Sequence, residues 1–175
     1  NWFKLGDKDL EMHVYRSKEI QNGTSLTEIT QKVSKIWNIN SKILPMSNHS
    51  VKTIIESDIG TLSFQEYFVK KKCTPKVESI TFKNKKAKTS QTVLDEMNDK
   101  NLTAIVFAPS NPYLSIDPIL SLSKIKTFLH TSSTPVIAVS PVVDGQAIKG
   151  PTTKIMTELG LKPSAVTIAK HYDGL

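Results

Sequence analysis

Two apolar stretches in the last third of the chain, residues 102–108, in which Thr103 is the one polar residue, and residues 136–139, constrain the fold more than any other feature. Strands of a parallel sheet are covered by helices on both faces, so they lack the alternation of apolar and polar residues that marks a half-exposed strand. Each stretch runs into a polar turn that contains proline, at residues 109–112 and 140–141. The sequence therefore predicts two strands buried on both faces, each followed by a turn.

Helical segments accompany both predicted strands. Residues 119–130 predict a helix between them, and another begins near Pro151, which suits a first helical turn, and ends at Gly160. The order strand–helix–strand–helix is typical of an α/β, Rossmann-like fold with a mostly parallel sheet flanked by helices. Ligands of such sheets bind beyond the carboxyl ends of the strands. We therefore expect functional residues in the turns that follow the two strands.

The first 38 residues predict a helical hairpin. Asp7 is expected to cap a helix over residues 7–22, which Gly23 ends, and Ser25 and Glu28 form a capping box at the start of a second helix. Apolar residues recur at helical spacing in both helices: Leu10, Val14, Tyr15 and Ile20 in the first, and Leu26, Ile29, Val33 and Ile36 in the second. We expect the two helices to pack against each other.

Residues 39–90 form a β-rich stretch in this interpretation. The predicted strands are residues 43–44, 51–56, 61–69 and 77–82. Asp58-Ile59-Gly60 is a turn signal that indicates a β-hairpin. Residues 83–90 are expected to form an exposed loop, and residues 93–97 the apolar part of a short helix. A length of 175 residues suits one domain, divided into the helical hairpin (1–38), the β-rich stretch (39–90) and an α/β portion (91–175).

Composition excludes several classes of function. The net charge of +7 would suit a nucleic-acid-binding protein, but Arg16 is the sole arginine. Arginine is the residue that most often makes bidentate hydrogen bonds to bases and phosphates. The lysine clusters are therefore interpreted as solvated surface.

No apolar run approaches the roughly 20 residues of a membrane helix. Cys73 is the only cysteine, which favours a reducing, cytoplasmic setting. The four histidines do not have zinc-ligand spacing.

The loop over residues 108–115 is the first candidate site. Two prolines stiffen it, and Ser110, Asn111 and Ser115 supply short polar groups at the carboxyl end of a strand. Such a loop can present a rigid set of donors to phosphate oxygens. It can equally be a stiff turn whose polar residues only cap a helix.

Ser140 and residues 149–154 form the second candidate. Gly150 would allow close approach of the main chain to a ligand, while Lys149 and Lys154 could supply positive charge against a diphosphate. The alternative is an ordinary helix start with solvated lysines.

The start of the first helix is the third candidate. Asp9, His13 and Arg16 are spaced i, i+4 and i+7 and share one helical face, with Lys4 and Asp7 just before them. They suit a polar anchor beside a ligand cleft, or a surface ion pair with a spectator histidine.

Several blocks of sequence, in order, resemble one family. They are K-L-G-D-K-D at residues 4–9 with His13 and Arg16, I-L-P-M-S at 43–47, F-Q-E-Y-F-V at 64–69, P-S-N-P at 109–112, S-I-D-P-I-L at 115–120, V-S-P at 139–141, K-G-P at 149–151 and H-Y at 171–172. The chain is thereby identified as similar to the 2-phospho-L-lactate transferases of coenzyme F-420 biosynthesis. Lys8 stands where arginine is usual in the family.

The resemblance implies an enzyme that moves a 2-phospholactyl group, or an enolpyruvyl or glyceryl phosphate group. The donor is a guanosine diphosphate ester, the acceptor is the deazaflavin alcohol FO, and the products are the F-420 precursor and GMP. It also implies magnesium, with ligands expected in an N-terminal segment of the family that carries a G-G-T-G-like loop and aspartates. A homodimer is a further family expectation, and the partners are small molecules rather than nucleic acid or membrane.

Site roles follow from the same resemblance. Lys4 matches the lysine expected to contact FO, and Ser110 and Asn111 match the loop expected near the guanosine diphosphate. Four further residues match positions around that cleft: Ser115, Ser140, Lys149 and Gly150. The motif residues Asp7, Asp9, His13 and Arg16 receive no separate role. The competing hypothesis is a nucleotide-sugar-binding regulatory protein of the same fold without transferase activity.

Overall fold

The computed structural model describes residues 4–84 and 86–175. Its helices are α1 (Asp7–Gln21), α2 (Leu26–Ile36), α3 (Gln91–Met97), α4 (Asp117–Leu120), α5 (Ser123–Thr131), α6 (Thr152–Glu158) and α7 (Ala165–His171). Its strands are β1 (Lys52–Ser57), β2 (Gly60–Ser63), β3 (Val77–Lys83), β4 (Ile105–Phe107), β5 (Val136–Ala138), β6 (Val142–Val143) and β7 (Gln146–Ala147). Residues 1–3, in the predicted hairpin stretch, and Lys85, in the predicted loop 83–90, lie outside the described residues.

The predicted helical hairpin is confirmed, with two corrections. Gly6 rather than Asp7 occupies the N-cap of α1, because Asp7 is already helical, and no side chain caps this end. The predicted apolar stripe of α1 is not buried: Leu10, Val14 and Ile20 are each about half exposed. The helix packs against α2 along one side, where Lys32 Nζ lies 3.1 Å from Glu19 Oε2.

Local signals set the end of α1 and the start of α2 as predicted. Gly23 has a φ of +86°, and the main-chain N–H groups of Gly23 and Thr24 donate to the carbonyls of Ile20 and Glu19, which is the hydrogen-bond pattern of a Schellman motif. The capping box at the start of α2 forms between Ser25 and Glu28.

The β-rich stretch forms an antiparallel sheet of three strands in the order β2–β1–β3. The predicted turn at residues 58–60 joins β1 to β2, with Ser57 opposite Gly60 in the register. The predicted strand at residues 43–44 is absent from the described part of the chain. Ser47 instead forms an isolated antiparallel bridge with Thr89, and Thr27 of α2 donates to the side chain of Asn48, which ties the helical hairpin to this stretch.

The prediction of a strand over residues 61–69 is wrong beyond Ser63. The chain turns there into a π-helical turn, Glu66–Lys70. Ser63 and Glu66 form a reciprocal capping box, in which the Ser63 N–H donates to Glu66 Oε2 at 3.0 Å and the Glu66 N–H donates to Ser63 Oγ at 3.3 Å. The S-x-x-E pattern at residues 63–66 is a helix-start signal that overrides the β-propensity of the aromatic residues.

The α/β class is confirmed, but the parallel part of the structure is small. Strands β4 and β5 pair in parallel, with Phe107 opposite Ala138. Val106 and Ile137, which are adjacent in this register, remain 59% and 52% exposed, so the prediction that both strands are buried on both faces is wrong. One face packs against Leu122, Ile125 and Leu129, and an apolar run cannot reveal from sequence whether its second face is covered.

The remaining elements refine the predictions for the last third. The predicted helix 119–130 is divided into α4 and α5, and the helix predicted from Pro151 to Gly160 is observed as α6. The β6–β7 hairpin and α7 were not predicted. Asp144 and Gly145, with φ of +49° and +72°, form the turn between β6 and β7, and an Asp-Gly pair is a signal for such a hairpin.

The main core joins the antiparallel sheet to the last two helices. Its fully buried side chains include Ile55 from β1, Tyr67 from the π-helical turn, Val77 from β3, Ile155 from α6 and Ile168 from α7. A second cluster lies between α5 and the parallel strands. Phe107 at the end of β4 packs against the second cluster, whereas Tyr113 and Leu114, after the turn, belong to the main core. The division into three stretches of one domain remains a prediction.

We predict that Gly23→Ala lowers the free energy of unfolding of the intact protein by about 1 kcal/mol, because a Cβ disfavours the left-handed conformation that ends α1. Gly23→Asn is the matched control, since asparagine tolerates this conformation and should lose less. Urea denaturation followed by circular dichroism provides the measurement. Equal unfolding midpoints for Gly23→Ala and wild type would contradict the prediction.

Candidate functional site

The turn after β4 opens into a cavity of about 300 Å³, here called the loop cavity. Parallel pairing of β4 and β5 places the carboxyl ends of both strands at one edge, so that Pro109 and Pro141 both reach this cavity. Its lining comes from three loop segments and two π-helical turns: Phe64, Phe68, Pro109, Ser110, Asn111, Leu114, Ser115, Pro141, Ile148, Lys149, Gly150 and Pro151. Five of the predicted nucleotide-site residues are therefore brought together.

Asn111 organises the loop. Its Oδ1 atom accepts hydrogen bonds from the main-chain N–H groups of Tyr113 and Leu114, both at 3.0 Å, and caps the π-helical turn Pro112–Ile116. These two bonds fix the orientation of the side-chain amide, because only the oxygen can accept them. The Nδ2 atom is consequently held as a donor, and it is buried without a hydrogen-bond partner among the described residues.

A buried donor without an acceptor is costly, at about 1–3 kcal/mol. Such groups in native structures call for an explanation, and a bound ligand is one of them. Asn111 lines the loop cavity, but the Nδ2 atom itself is buried, so a ligand acceptor would reach it only after a small shift of the loop. The role that the structure shows for Asn111 is the cap of the π-helical turn, and phosphate binding by this loop stays a prediction.

The other polar groups of the loop cavity are also available to a ligand. Within residues 4–84 and 86–175, the side chains of Ser110, Ser115 and Lys149 have no hydrogen-bond or ion-pair partner, and no lining residue is acidic. Gly150 has a φ of +73°, and no atom lies within 4 Å of the position that a Cβ would take. The cavity therefore offers hydroxyl and ammonium donors without a competing carboxylate, which suits an anionic ligand.

Two aromatic residues of the cavity were not assigned to the site by sequence reasoning. Phe64 and Phe68 stack with their ring centroids 5.3 Å apart and their planes at 20°. In a strand these residues would be about 13 Å apart, whereas one helical turn places i and i+4 together. The capping box at residues 63–66 is the signal that could have revealed this arrangement.

Ser140 and Lys154, which were expected at the ligand site, have their polar groups engaged by other parts of the protein. Ser140 Oγ donates to the carbonyl of Val142 at 2.7 Å and accepts from the Val142 N–H at 3.0 Å, so its hydroxyl stabilises the turn before β6. It is not among the residues that line the loop cavity, although Pro141 is. Lys154 Nζ donates to the carbonyl of Pro75 at 2.8 Å and pairs with Glu158. This ammonium group therefore stabilises α6 against the segment before β3.

The motif residues of α1 are separate from the loop cavity. Asp7 and Asp9 lie in the first turn of α1, where acidic residues interact favourably with the helix dipole. Arg16 Nη2 lies 2.6 Å from His13 Nδ1, which accepts this hydrogen bond when the imidazole carries its proton on Nε2. None of these residues lines the loop cavity, and neither does Lys4, which is exposed just before the helix. The contact of Lys4 with FO stays a prediction.

A second cavity of about 580 Å³, the strand cavity, adjoins the loop cavity. It lies beside the start of β1 and combines apolar and polar side chains: Met46, Ser50, Val51, Lys52, Thr53, Ile54, Ser63, Phe64, Gln65, Leu114, Ser115, Pro118 and Ile119. The two cavities share Phe64, Leu114 and Ser115.

A third cavity, of about 430 Å³, lies beside β4 and α5. Its lining is aliphatic and aromatic apart from Glu96, so it offers no donors to a phosphate. We assign it no part in the site.

The far end of the loop is held by the C-terminal helix. His171 Nε2 lies 2.8 Å from Asp117 Oδ1, and the His171 ring meets the Tyr113 ring edge-on, with centroids 5.0 Å apart. Burial raises the pKa of the Tyr113 phenol, and the Asp117 carboxylate acts in the same direction. Tyr113 is therefore a neutral side chain at physiological pH that packs the base of the loop.

Among the residues that the structure describes, no group of three or more His, Cys, Asp or Glu side chains is placed to hold a metal ion. We therefore assign no magnesium ligand among the described residues. The magnesium dependence implied by the resemblance stays a prediction.

Within residues 4–84 and 86–175, no helix combines the length and the apolar character that crossing a bilayer requires.

Comparison with known proteins gives one consistent result. The family described as "2-phospho-L-lactate transferase CofD" matches residues 2–173. A protein named 2-phospho-L-lactate transferase from Methanosarcina acetivorans is 37% identical over 171 residues, which are 97% of this chain and 54% of the relative. A protein named phosphoenolpyruvate transferase from Streptomyces griseus is 30% identical over 98% of this chain and 55% of its own length.

The crystal structure of protein BH3568 from Bacillus halodurans shares the fold. It has a TM-score of 0.60 and 19% identity, over 93% of this chain and 54% of that one. The chain spans about half the length of the curated relatives that it matches. Because the family match extends over nearly all of its residues, the chain belongs to the 2-phospho-L-lactate transferase (CofD) family.

Proposed function

We propose that the intact protein transfers a 2-phospholactyl group, or an enolpyruvyl or glyceryl phosphate group, from a guanosine diphosphate ester to FO. The donor class covers several three-carbon acids because the names of the relatives include both phospholactate and phosphoenolpyruvate transferases. The observation that carries the proposal is the loop cavity, where Ser110, Ser115 and Lys149 present unpartnered donors and no lining carboxylate competes with them.

In this proposal the diphosphate of the donor lies in the loop cavity. The Lys149 ammonium offsets part of its charge, and the Asn111 Nδ2 atom donates to a phosphate oxygen. The hydroxyl groups of Ser110 and Ser115 donate to further oxygens, and the open main chain at Gly150 allows close approach. Preformed donors of this kind stabilise charge that develops on phosphate oxygens without having to reorganise during the reaction.

The transfer forms a bond between the acceptor hydroxyl oxygen and the phosphorus that carries the three-carbon acid. It breaks the bond from that phosphorus to the bridging oxygen of the diphosphate. GMP leaves with the bridging oxygen and its electron pair, and the proton of the acceptor hydroxyl passes to solvent. Phosphoryl transfer depends mainly on positioning and charge stabilisation, which fits a site made of short donors and one cation. Magnesium, which the resemblance implies, would neutralise phosphate charge when bound, with ligands outside the described residues.

The reaction can be tested directly with the intact protein. We expect incubation with FO, a guanosine diphosphate ester and magnesium to yield the phosphodiester product and GMP, identified by mass. GDP and FO should each raise the melting temperature, because a ligand that binds only the folded state stabilises it. A melting shift with a UDP-sugar alone, and no product, would favour the regulatory alternative. We also propose a cytoplasmic location and a homodimer, and both proposals rest on family membership alone.

Asn111→Asp isolates the donor function of the loop. The carboxylate keeps the oxygen that accepts from Tyr113 and Leu114 but replaces the Nδ2 donor with a negative charge. We expect an affinity for GDP about 100-fold lower, equivalent to about 2.7 kcal/mol, with an unchanged circular dichroism spectrum. Isothermal titration calorimetry gives the affinity.

Asn48→Asp is the matched control for this variant. Asn48 Oδ1 accepts from the Thr27 N–H and hydroxyl groups, both at 2.9 Å, outside the loop cavity. The same change in charge at a similar cap should leave the affinity for GDP unaltered. A GDP affinity of Asn111→Asp equal to that of wild type would remove Asn111 from the site.

Lys4→Ala tests the residue that the resemblance assigns to FO. We expect a higher KM for FO or a lower kcat, about tenfold in either case, because an exposed lysine contributes one screened charge-assisted contact. Lys18→Ala, near the C-terminal end of α1, is the control for loss of a lysine in this part of the chain. Steady-state kinetics of both intact variants provide the comparison, and wild-type values for Lys4→Ala would exclude the contact.

A further inference from the structure

Two successive residues at the end of α7 contact both ends of the loop that lines the loop cavity. The Tyr172 ring meets the Phe107 ring edge-on, with centroids 5.1 Å apart and planes at 80°, and Phe107 is the last residue of β4. His171 Nε2 lies 2.8 Å from Oδ1 of Asp117, which is the first residue of α4. The segment between Phe107 and Asp117 is therefore held at both ends by one turn of one helix.

The middle of the loop is reached by the same group of side chains. The His171 ring meets the Tyr113 ring edge-on at 5.0 Å and the Tyr172 ring at 5.1 Å. A continuous row of four rings thus runs from the end of β4, through α7, to the π-helical turn after Asn111. Edge-on packing is a favourable arrangement of aromatic rings, so the row resists displacement of the loop relative to α7.

The helix that carries these residues is itself fixed in the fold. Ser164 Oγ caps the start of α7 by accepting from the Thr167 N–H at 3.0 Å, and Ile168 is buried in the main core. Tyr172 packs against the main core, whereas Leu175, beyond the end of the helix, packs against the second cluster. The end of α7 is thus anchored to both cores and provides a fixed support for the loop.

The pair of His171 and Asp117 is the polar part of these contacts. Burial raises the pKa of the Tyr172 phenol, and Asp117 and Tyr113 act in the same direction, so this phenol is neutral at physiological pH. In the described part of the chain, His171 is the one side chain that donates a hydrogen bond to the Asp117 carboxylate. Removal of the imidazole would therefore leave that carboxylate without a side-chain donor.

Neither His171 nor Tyr172 lines the loop cavity, so an effect of these residues on a ligand there has to pass through the loop. We propose that both are positioning residues, which hold residues 108–116 in the conformation that presents Ser110 and Ser115 to the loop cavity. The functional part of this inference rests on the proposed function, because it takes a diphosphate as the ligand of that cavity.

Hydrogen–deuterium exchange of the intact protein measures the positioning without any ligand. We expect His171→Ala to accelerate exchange about tenfold in residues 109–116, where the Ser115 N–H donates to the Asn111 carbonyl at 2.9 Å. Exchange in β1 should stay at the wild-type rate. His130→Ala is the matched control, because His130 is an exposed histidine in the last turn of α5, and it should change neither rate.

Isothermal titration calorimetry with GDP tests the effect on the loop cavity. We expect His171→Ala to raise the Kd for GDP about tenfold, because the loop donors would be displaced from the ligand. His171→Gln should restore most of the affinity, since the glutamine amide can donate to Asp117 in place of the imidazole. Tyr172→Leu should weaken GDP binding, whereas Tyr172→Phe, which keeps the ring against Phe107, should not.

Wild-type exchange and wild-type GDP affinity in His171→Ala would overturn the inference. Faster exchange throughout the protein, β1 included, would also overturn it, because His171 would then stabilise the whole fold rather than position the loop. An affinity of His171→Gln as low as that of His171→Ala would contradict the role given to the hydrogen bond with Asp117. If the wild-type protein binds no GDP, the proposed function fails, and the exchange rates alone still decide whether α7 positions the loop.

Discussion

The amide oxygen of Asn111 accepts hydrogen bonds from the N–H groups of both Tyr113 and Leu114, and the candidate site depends on this arrangement. It starts the π-helical turn that buries Tyr113 and Leu114 in the main core. The same two bonds fix the amide so that Nδ2 is left as a buried donor at the loop cavity. One side chain therefore couples the stability of the loop to the chemistry that the loop can perform.

The surrounding structure holds this loop from both ends. Parallel pairing of β4 with β5 fixes where the turn begins and brings Pro141 beside Pro109. The His171–Asp117 pair holds the end of the loop against α7. Because these anchors come from residues far apart in sequence, the geometry of the loop cavity is a product of the tertiary fold rather than of the loop alone.

The loop cavity and the strand cavity meet at three residues, Phe64, Leu114 and Ser115. Phe64 and Leu114 form the apolar part of this boundary, and the Ser115 hydroxyl is its polar group. The Phe64–Phe68 stack reinforces the boundary, which is why the π-helical turn after β2 matters to the site although it lies far from the loop in sequence.

The sequence by itself determined the features that depend on local physical chemistry. The left-handed end of α1 at Gly23, the capping box of Ser25 and Glu28, and the turn at residues 58–60 follow from conformational preferences that act within a few residues. The ordered motif blocks indicated the family, and the two apolar runs indicated strands whose ends lie at one edge. The S-x-x-E pattern at residues 63–66 carried the information for a helical turn, but the aromatic residues that overlap it favoured a strand.

Only the tertiary structure decided which residues meet and which faces are covered. It brought Phe64 and Phe68 to the loop cavity and left Val106 and Ile137 exposed. It also engaged Ser140 within its own turn and Lys154 with the carbonyl of Pro75. The unpartnered Nδ2 of Asn111 also emerged only there, because sequence cannot show which atoms of a polar side chain the main chain will use. Spacing along a chain fixes local geometry, whereas distances across the molecule are set by packing between elements that are remote in sequence.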